Sequence, residues 1–362
     1  MPSSSAALLT IDLDAMAHNL AVLRGQAGRA QVAAVVKADG YGLGAAQVGR
    51  RLRREGVEAF FVAQLGEGEA LRAALGAGDP ATIYVLEGLT ADSEARLTAA
   101  RLTPVLATAA QAAHARALGA AAGRPLQVAL NVDTGMNRQG LTVAQAGALA
   151  AEARGELEIS LVMSHLGSAA TPDHPRNGQQ LARFNDVRAL FPLARASLAA
   201  SAGVFMGRDY RFDMVRPGIS LYGGGPWERP DPRLRAVVTL QAPLLDIREA
   251  PAGEWVGYGE SVRLQRATRV GIVGAGYADG LIRAAKGAGW AFAAGARLPL
   301  LIVNMDILAV DLGDAAVSTG DMVELLGSNV LLDDLAQASG TVPHECLVRL
   351  SSRAQRRYLG AV

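Results

Sequence analysis

The chain has 362 residues, half of them apolar, and 35 Lys plus Arg against 34 Asp plus Glu, so its formal charge is only +1. That length suits about two domains, or one large barrel with an extra module. Near-neutrality excludes the basic excess that a general nucleic-acid or membrane-surface binder needs, so neither partner is expected.

The start, MPSSSAALLTIDLD, has no basic segment, and its apolar stretch runs into Asp12 and Asp14, unlike a secretory signal. No apolar run reaches the roughly 18 residues of a membrane-spanning helix, and a cytoplasmic protein is expected. From about residue 30 onward, short apolar runs alternate with helical patterns. The strand-like runs are VAAVVKA (32–38), AFFVAQ (59–64), TIYVLEG (82–88), LTPVLAT (102–108), LQVALNV (126–132), ISLVMSH (159–165), ASLAAS (196–201) and MVRPGISLYG (214–223). Between them lie helical patterns such as AAQVGRRLRREG, GEGEALRAALGAG and AAQAAHARALGAAAG. Strands alternating with helices imply a parallel sheet. Eight such units match a (β/α)8 TIM barrel better than an open sheet. Alanine is a poor strand former, so the last runs are the weakest of the eight.

The pattern changes after GGGPWERPDPR (223–233), which reads as a linker. AVVTLQAPLLDI, VGIVGAGYADG, PLLIVNMDILAVDL and DMVELLG then show little helical period. The expectation is a barrel over 10–233 and a mostly-β domain over 234–362, with residues 1–9 a candidate to join the latter.

Chemistry in such a barrel sits at the carboxyl ends of the strands. There the sequence places Lys37 at the end of the first run, Asp133 to Arg138 after the fifth, Ser164 and His165 on the sixth, Ser201 on the seventh, and Arg216, Gly218 and Ile219 on the eighth. Only Lys37 and Lys286 are lysines, leaving 33 of the 35 basic residues as arginine. Any amine chemistry is therefore confined to two positions. Lys37 follows the apolar AAVV, where partial desolvation would lower its pKa and make it nucleophilic. The plainer alternative is a lysine snorkelling from a strand end. Lys286, in AAKGAG, reads as a solvated loop residue. Hydroxyls and amides on the seventh and eighth strands are where many barrels bind phosphate. A nucleophilic lysine plus a phosphate cradle points to pyridoxal phosphate held as a Schiff base.

Other features have plainer readings. The run RRLRRE (50–55) is a solvated helix face with Val48 and Leu52 on its buried side. GAGYADG fails the dinucleotide pattern because position 279 is Asp where the third glycine is needed. The five histidines lack metal-ligand spacing and Cys346 is the only cysteine, so no metal and no disulfide are expected.

The stretch AVVKADGYGLG (34–44) closely resembles the lysine signature of the alanine racemases. DTGMNRQG (133–140), SHLG (164–167), SAG (201–203), RPGISLYG (216–223), VGYGES (256–261), GYADG (276–280) and NMD (304–306) follow in the family's order over nearly the whole chain. The resemblance implies a barrel followed by a β domain, pyridoxal 5'-phosphate as cofactor, and a homodimer whose active sites use residues of both subunits. It implies that Lys37 holds the cofactor and serves as one base, with Tyr258 of the opposite subunit as the base on the other face. Tyr41, Ser201, Gly218 and Ile219 would contact the phosphate, Arg216 the pyridine nitrogen, and His165 would lie beside Arg216 and Tyr258. Arg138 and the backbone of Met305 would meet the substrate carboxylate, and Tyr277 would line the entrance. The implied reaction is interconversion of L- and D-alanine by two-base proton transfer, supplying D-alanine for peptidoglycan.

Two positions depart from the family pattern. Asn131 stands where many members carry a carbamylated lysine, and Asn304 where a cysteine is common. They leave open a racemase of broader scope, acting on serine or lysine. A non-catalytic cofactor-carrier barrel is a further alternative, but the residues after the linker, Tyr258 among them, argue against it.

Overall fold

A computed structural model of the chain describes residues 7–152, 155–350 and 352–361. Residues 1–6, part of the stretch expected to join the second domain, lie outside these. The chain divides into two compact units, one of residues 20–221 and one of the residues up to Asn19 together with Tyr222–Ala361.

The first unit is an eight-stave parallel barrel. Its staves are Gln31–Val32 continuing as Ala34–Val35, then Ala59–Val62, Thr82–Val85, Leu102–Leu106, Leu126–Asn131, Leu157–Met163, Arg195–Ser197 and Met214–Val215. Seven of these form one continuous sheet in chain order. The short last stave closes the ring by pairing in parallel with the first, Met214 opposite Gln31 and Val215 opposite Val32. It reaches the seventh through Asp213 N–H to Ala196 O at 3.1 Å and Arg216 N–H to Ala199 O at 2.9 Å.

A parallel barrel buries both faces of its strands, which is why AFFV, the second stave, is buried at every residue. Ala33, Phe61, Tyr84, Val105, Ala129, Leu161 and Met214, drawn from seven staves, form one packed cluster. Phe61 and Tyr84 stack within it at 4.6 Å. Outside, the helix Ala45–Arg54 buries Val48 and Leu52. Its arginines face outward, Arg51 pairing with Glu55 and Arg53 with Asp79, both at 2.9 Å. The helix Pro175–Leu190 starts with proline in its first turn and buries Asn177, Gln180, Phe184 and Val187, spaced three and four apart along one face.

Two sequence expectations are corrected here. ASLAAS is strand only over Arg195–Ser197, and Ser201 instead opens the short helix Ser201–Phe205. The stretch MVRPGISLYG is strand only over Met214–Val215, and Ile219–Tyr222 form a 3-10 turn. Pro217 has no N–H to continue a ladder, although its carbonyl still accepts from Val35 N–H at 3.1 Å.

The second unit is built on an eight-stranded sheet. Its long strand Val238–Ala250 pairs antiparallel with Leu8–Asp12, Met322–Leu326 and Thr268–Val273. Leu8–Asp12 pairs in parallel with Gln355–Leu359 on its other side. Leu264, Val270, Ile302 and Ala309 form a small core here, with Val256 and Val262 packed against it. The Gly/Pro-rich stretch after residue 222 is tied into this unit, Gly225 N–H donating to the buried Asp333 carboxylate at 3.0 Å.

Candidate active site

Lys37 follows the first stave at its carboxyl end, and the backbone after it is unusual. Ala38, Asp39, Gly40 and Tyr41 all have positive φ, at 53°, 53°, 63° and 57°, which makes a left-handed turn. Three of the four are not glycine, and left-handed geometry costs such residues about 1–2 kcal/mol each. The turn is held from several sides. Val36 N–H donates to Phe61 O at 2.9 Å, Gly44 N–H to Asp39 O at 2.8 Å, and Ala45 N–H to the Asp39 carboxylate at 2.7 Å. Ala38 N–H donates to Glu67 Oε1 at 2.7 Å. Among the described residues the Lys37 amine has no hydrogen bond or ion pair. Burial holds its pKa below the ordinary lysine value, the positive charge of Arg138 lowers it further, and Glu67 opposes both.

Tyr41, at the far end of that turn, reaches the last stave. A β-carbon built on Gly218 would stand 2.1 Å from the Tyr41 hydroxyl, so residue 218 must be glycine for the phenol to lie there. Ser201 Oγ accepts from Gly218 N–H at 3.0 Å and from Ser220 N–H at 3.3 Å. The N–H group of Ile219 makes no backbone hydrogen bond among the described residues, whereas the Ser201 backbone sits beside an isolated parallel bridge between Ala200 and Arg216. Ser201 and Ile219 are both buried, and the Ser220 hydroxyl beside them is buried without a partner. Burial pushes the Tyr41 phenol above its ordinary pKa, so it stays protonated and able to donate.

Arg216 is buried where the seventh and eighth staves meet. Its Nη1 donates to Ser197 O at 2.9 Å and to Ser197 Oγ at 2.5 Å, and its Nη2 to Ser164 O at 2.5 Å. Its guanidinium carbon lies 5.8 Å from the Phe61 ring centroid. Desolvation brings the guanidinium down to about 10, which leaves it charged at neutral pH. His165, half-buried, follows the carbonyl that Arg216 binds, and its own carbonyl accepts from Gln180 Nε2 at 2.9 Å.

Arg138 is exposed on the loop after the fifth stave. That loop wraps around the Asp133 carboxylate, which accepts from the N–H groups of Gly135, Met136 and Asn137 at 2.7, 2.7 and 2.8 Å. Asn131 donates to Gln139 O at 3.2 Å, so it braces the loop backbone next to Arg138. Helix Pro175–Leu190 grips the same loop. Arg176 donates to Gly135 O at 2.7 Å, Arg183 to Thr134 O at 3.1 Å, and Gln180 to Thr134 Oγ1 at 3.3 Å. Gln180 also accepts from Gly167 N–H at 2.8 Å and is fully buried.

Tyr258, Tyr277 and Met305 belong to the β unit. Tyr258 sits in the turn between Trp255–Val256 and Val262–Arg263, is 82% exposed, and its carbonyl accepts from Ser261 Oγ at 2.6 Å. Gly257, next to it, packs so closely on Ile302 that a β-carbon would meet that side chain at 2.9 Å. Tyr277 and Met305 lie side by side, because Tyr277 N–H donates to Asn304 O and Ala278 N–H to Met305 O, each at 2.9 Å. Met305 N–H has no backbone acceptor among the described residues. Lys286 is exposed on the turn after Arg283–Ala285.

Glu67, Gln180 and Arg176 were not found from sequence. Glu67 had a partial signal, since a glutamate at the third helical position can reach back to the N-cap backbone, and here it accepts from Gln64 N–H. Gln180 shares a helix face with Phe184 and Val187, and a polar residue on an apolar face marks a buried network.

The fold is that of a parallel barrel carrying a separate β domain, with a lysine at the carboxyl end of the first stave. The family model for the N-terminal domain of alanine racemases matches residues 11–226, and that for the C-terminal domain matches residues 237–358. The catabolic alanine racemase of Mesorhizobium japonicum is 43% identical, over 99% of this chain and 94% of its own length. The biosynthetic alanine racemase of Agrobacterium fabrum is 40% identical, over 98% and 94%. The crystal structure of the Bartonella henselae alanine racemase with covalently bound pyridoxal phosphate superimposes with a TM-score of 0.91 at 33% identity, covering 98% of this chain and all of that one. The chain belongs to the alanine racemase family, a family of isomerases.

Proposed function

We propose that the chain interconverts L-alanine and D-alanine with pyridoxal phosphate carried on Lys37. The observation that supports this most is the link from an unpaired amine of lowered basicity to a buried cradle of donors, made through Tyr41 on one short turn. The donor set suits a phosphate: the Tyr41 and Ser201 hydroxyls and the N–H group of Ile219, around a glycine whose missing side chain leaves room for close approach.

Pyridoxal phosphate, when bound, supplies an electron sink that acidifies the α-C–H of an amino acid. The chain supplies the rest. Lys37 takes or returns the α-proton on one face, and Tyr258 does so on the other, which gives access to both enantiomers. Arg216 faces the pyridine nitrogen. A guanidinium that keeps its own proton leaves that nitrogen unprotonated and the sink weak, which favours simple proton return. His165 stands beside Arg216. Arg138 and the Met305 N–H hold the substrate carboxylate, and Tyr277 lines the entrance.

The same reading makes the enzyme a homodimer in which Tyr258 serves the partner's site. Exposure of Tyr258 together with Trp255, Tyr277, Met305 and Ile307 supports an apolar face awaiting a partner. A cytoplasmic location belongs to the reading as well, and no helix among the described residues is long and apolar enough to cross a membrane. D-alanine for peptidoglycan is the use we assign, although the relatives include both biosynthetic and catabolic enzymes.

The direct test is to reduce the holoenzyme with borohydride, digest it and find which of the two lysines carries the pyridoxyl group. Lys37 is expected, and Lys286 would sink the proposal. Proton exchange in deuterated water over a panel of amino acids then fixes the substrate. Exchange on both enantiomers of alanine supports the lead, whereas strongest exchange on serine or lysine means the broader racemase.

A further inference from the structure

We propose that Glu67 is a positioning residue for the Lys37 amine, acting through the backbone of the left-handed turn. This rests on the role given to Lys37 above. Both carboxylate oxygens are engaged at a junction between staves. Oε1 accepts from Ala38 N–H, the amide that follows Lys37, at 2.7 Å. Oε2 accepts from Ala63 N–H at 2.7 Å and Gln64 N–H at 3.2 Å, at the end of the second stave. One side chain thus ties the backbone at Lys37 to the neighbouring stave.

The turn needs such a tie. Consecutive left-handed residues other than glycine persist only where the surroundings over-determine them. The Asp39 contacts fasten the turn to the helix that follows it in the chain, which could carry turn and lysine together to a new place. Glu67 instead comes from the base of another helix, Leu65–Leu75, which is anchored on the second stave.

The carboxylate also acts by charge. Glu67 from that helix and Arg138 from the loop after the fifth stave are the charged groups that bear on the amine, with opposite signs. Asp39, on the lysine's own turn, directs its carboxylate at Ala45 N–H. Replacing Glu67 by a neutral residue therefore leaves burial and Arg138 unopposed, and the amine should lose protons more readily. A residue that merely supported the fold would not move that equilibrium.

The chain's lysine usage makes the test clean, because Lys286 is a built-in reference. Competitive labelling of the cofactor-free protein with acetic anhydride across pH, followed by peptide mapping, gives the titration of Lys37 relative to Lys286. In Glu67→Gln the Lys37 midpoint is expected to fall by roughly half a unit to one unit. Hydrogen exchange at the Ala38 amide should speed up by about tenfold or more in the same protein. A folded E67Q with both at wild-type values overturns the proposal. Should E67Q not fold, Glu67→Asp carries the test. It keeps the charge but withdraws it by one methylene, so faster Ala38 exchange is expected and unchanged exchange refutes the clamp. Borohydride mapping on the wild-type holoenzyme separates the two levels. Pyridoxyl on Lys37 with unchanged E67Q labelling removes only the role of Glu67, whereas pyridoxyl on Lys286 removes the assignment on which that role rests.

Discussion

The Tyr41 hydroxyl stands where residue 218 would carry its side chain, 2.1 Å from the position of an ideal β-carbon on Gly218. The end of the lysine turn and the start of the last βα connection therefore define each other. A change at either should act on the cradle without touching the chemistry of Lys37.

Gly218→Ala is accordingly expected to fold, to displace the Tyr41 phenol and to weaken cofactor retention. A loss of about tenfold or more in affinity, roughly 1.4 kcal/mol, should be seen when the apoprotein is titrated with pyridoxal phosphate and followed by absorbance. An unchanged affinity would mean that the cradle lies elsewhere.

Lys37 sets a pH dependence of stability whose sign can be worked out. Its folded pKa lies below the ordinary 10.5, chiefly through burial. The folded state therefore binds this proton less well than the unfolded state does. The resulting penalty is full below the folded value, fades between that value and 10.5, and is gone above it. In the cofactor-free protein, Lys37→Met should thus raise Tm at neutral pH, with the advantage shrinking as the pH approaches 10.5 and gone above it. A lower Tm for the variant at neutral pH would show that the amine is stabilised in the fold.

Tyr258→Phe should cut racemisation by about 10²–10⁴-fold, the range for loss of a positioned acid or base. The loss should be uneven. Exchange of the α-proton with deuterated water should survive on one alanine enantiomer, the one whose proton faces Lys37. Equal retention on both would remove Tyr258 from the reaction. The fold should be unaffected, because the side chain is exposed.

Gln180→Leu should strip the partners of His165 O and Gly167 N–H together, while Thr134 Oγ1 keeps Ser164 Oγ. Orphaning buried polar groups costs about 1–3 kcal/mol each, and denaturant unfolding should report a loss on the order of 3 kcal/mol. Because the loop of Arg138 loosens too, KM for alanine should rise more than kcat falls. A stability loss with KM unchanged would make Gln180 a fold residue only.

Much of the barrel was legible because hydrophobic period is a local property. AFFV and TIYV announce buried parallel strands by composition alone, and the helix at 45–54 shows its two faces in the spacing of Val48 and Leu52. The last two staves were overread. Arg195–Ser197 and Met214–Val215 are too short to carry a periodic signal, and they are strands because the first pairs with Leu161–Met163 and the second closes the ring against Gln31 and Val32. Ser201 and Ile219 were placed in the right region but on the wrong element. Ser201 opens a short helix and Ile219 a 3-10 turn, and neither has the regular period that marks a strand.

From the order of its residues the chain determined its alternation of strand and helix, the change to β structure after the linker, and the confinement of amine chemistry to two lysines. These follow from side-chain character and spacing along the chain. Only the tertiary structure decided that four residues after Lys37 run left-handed, that Tyr41 fills the place of a side chain at 218, and that Glu67 holds the Ala38 amide. Such relationships join residues 29 and 177 positions apart. They arise because a closed barrel brings its first, second and last staves side by side, and no local pattern records that adjacency.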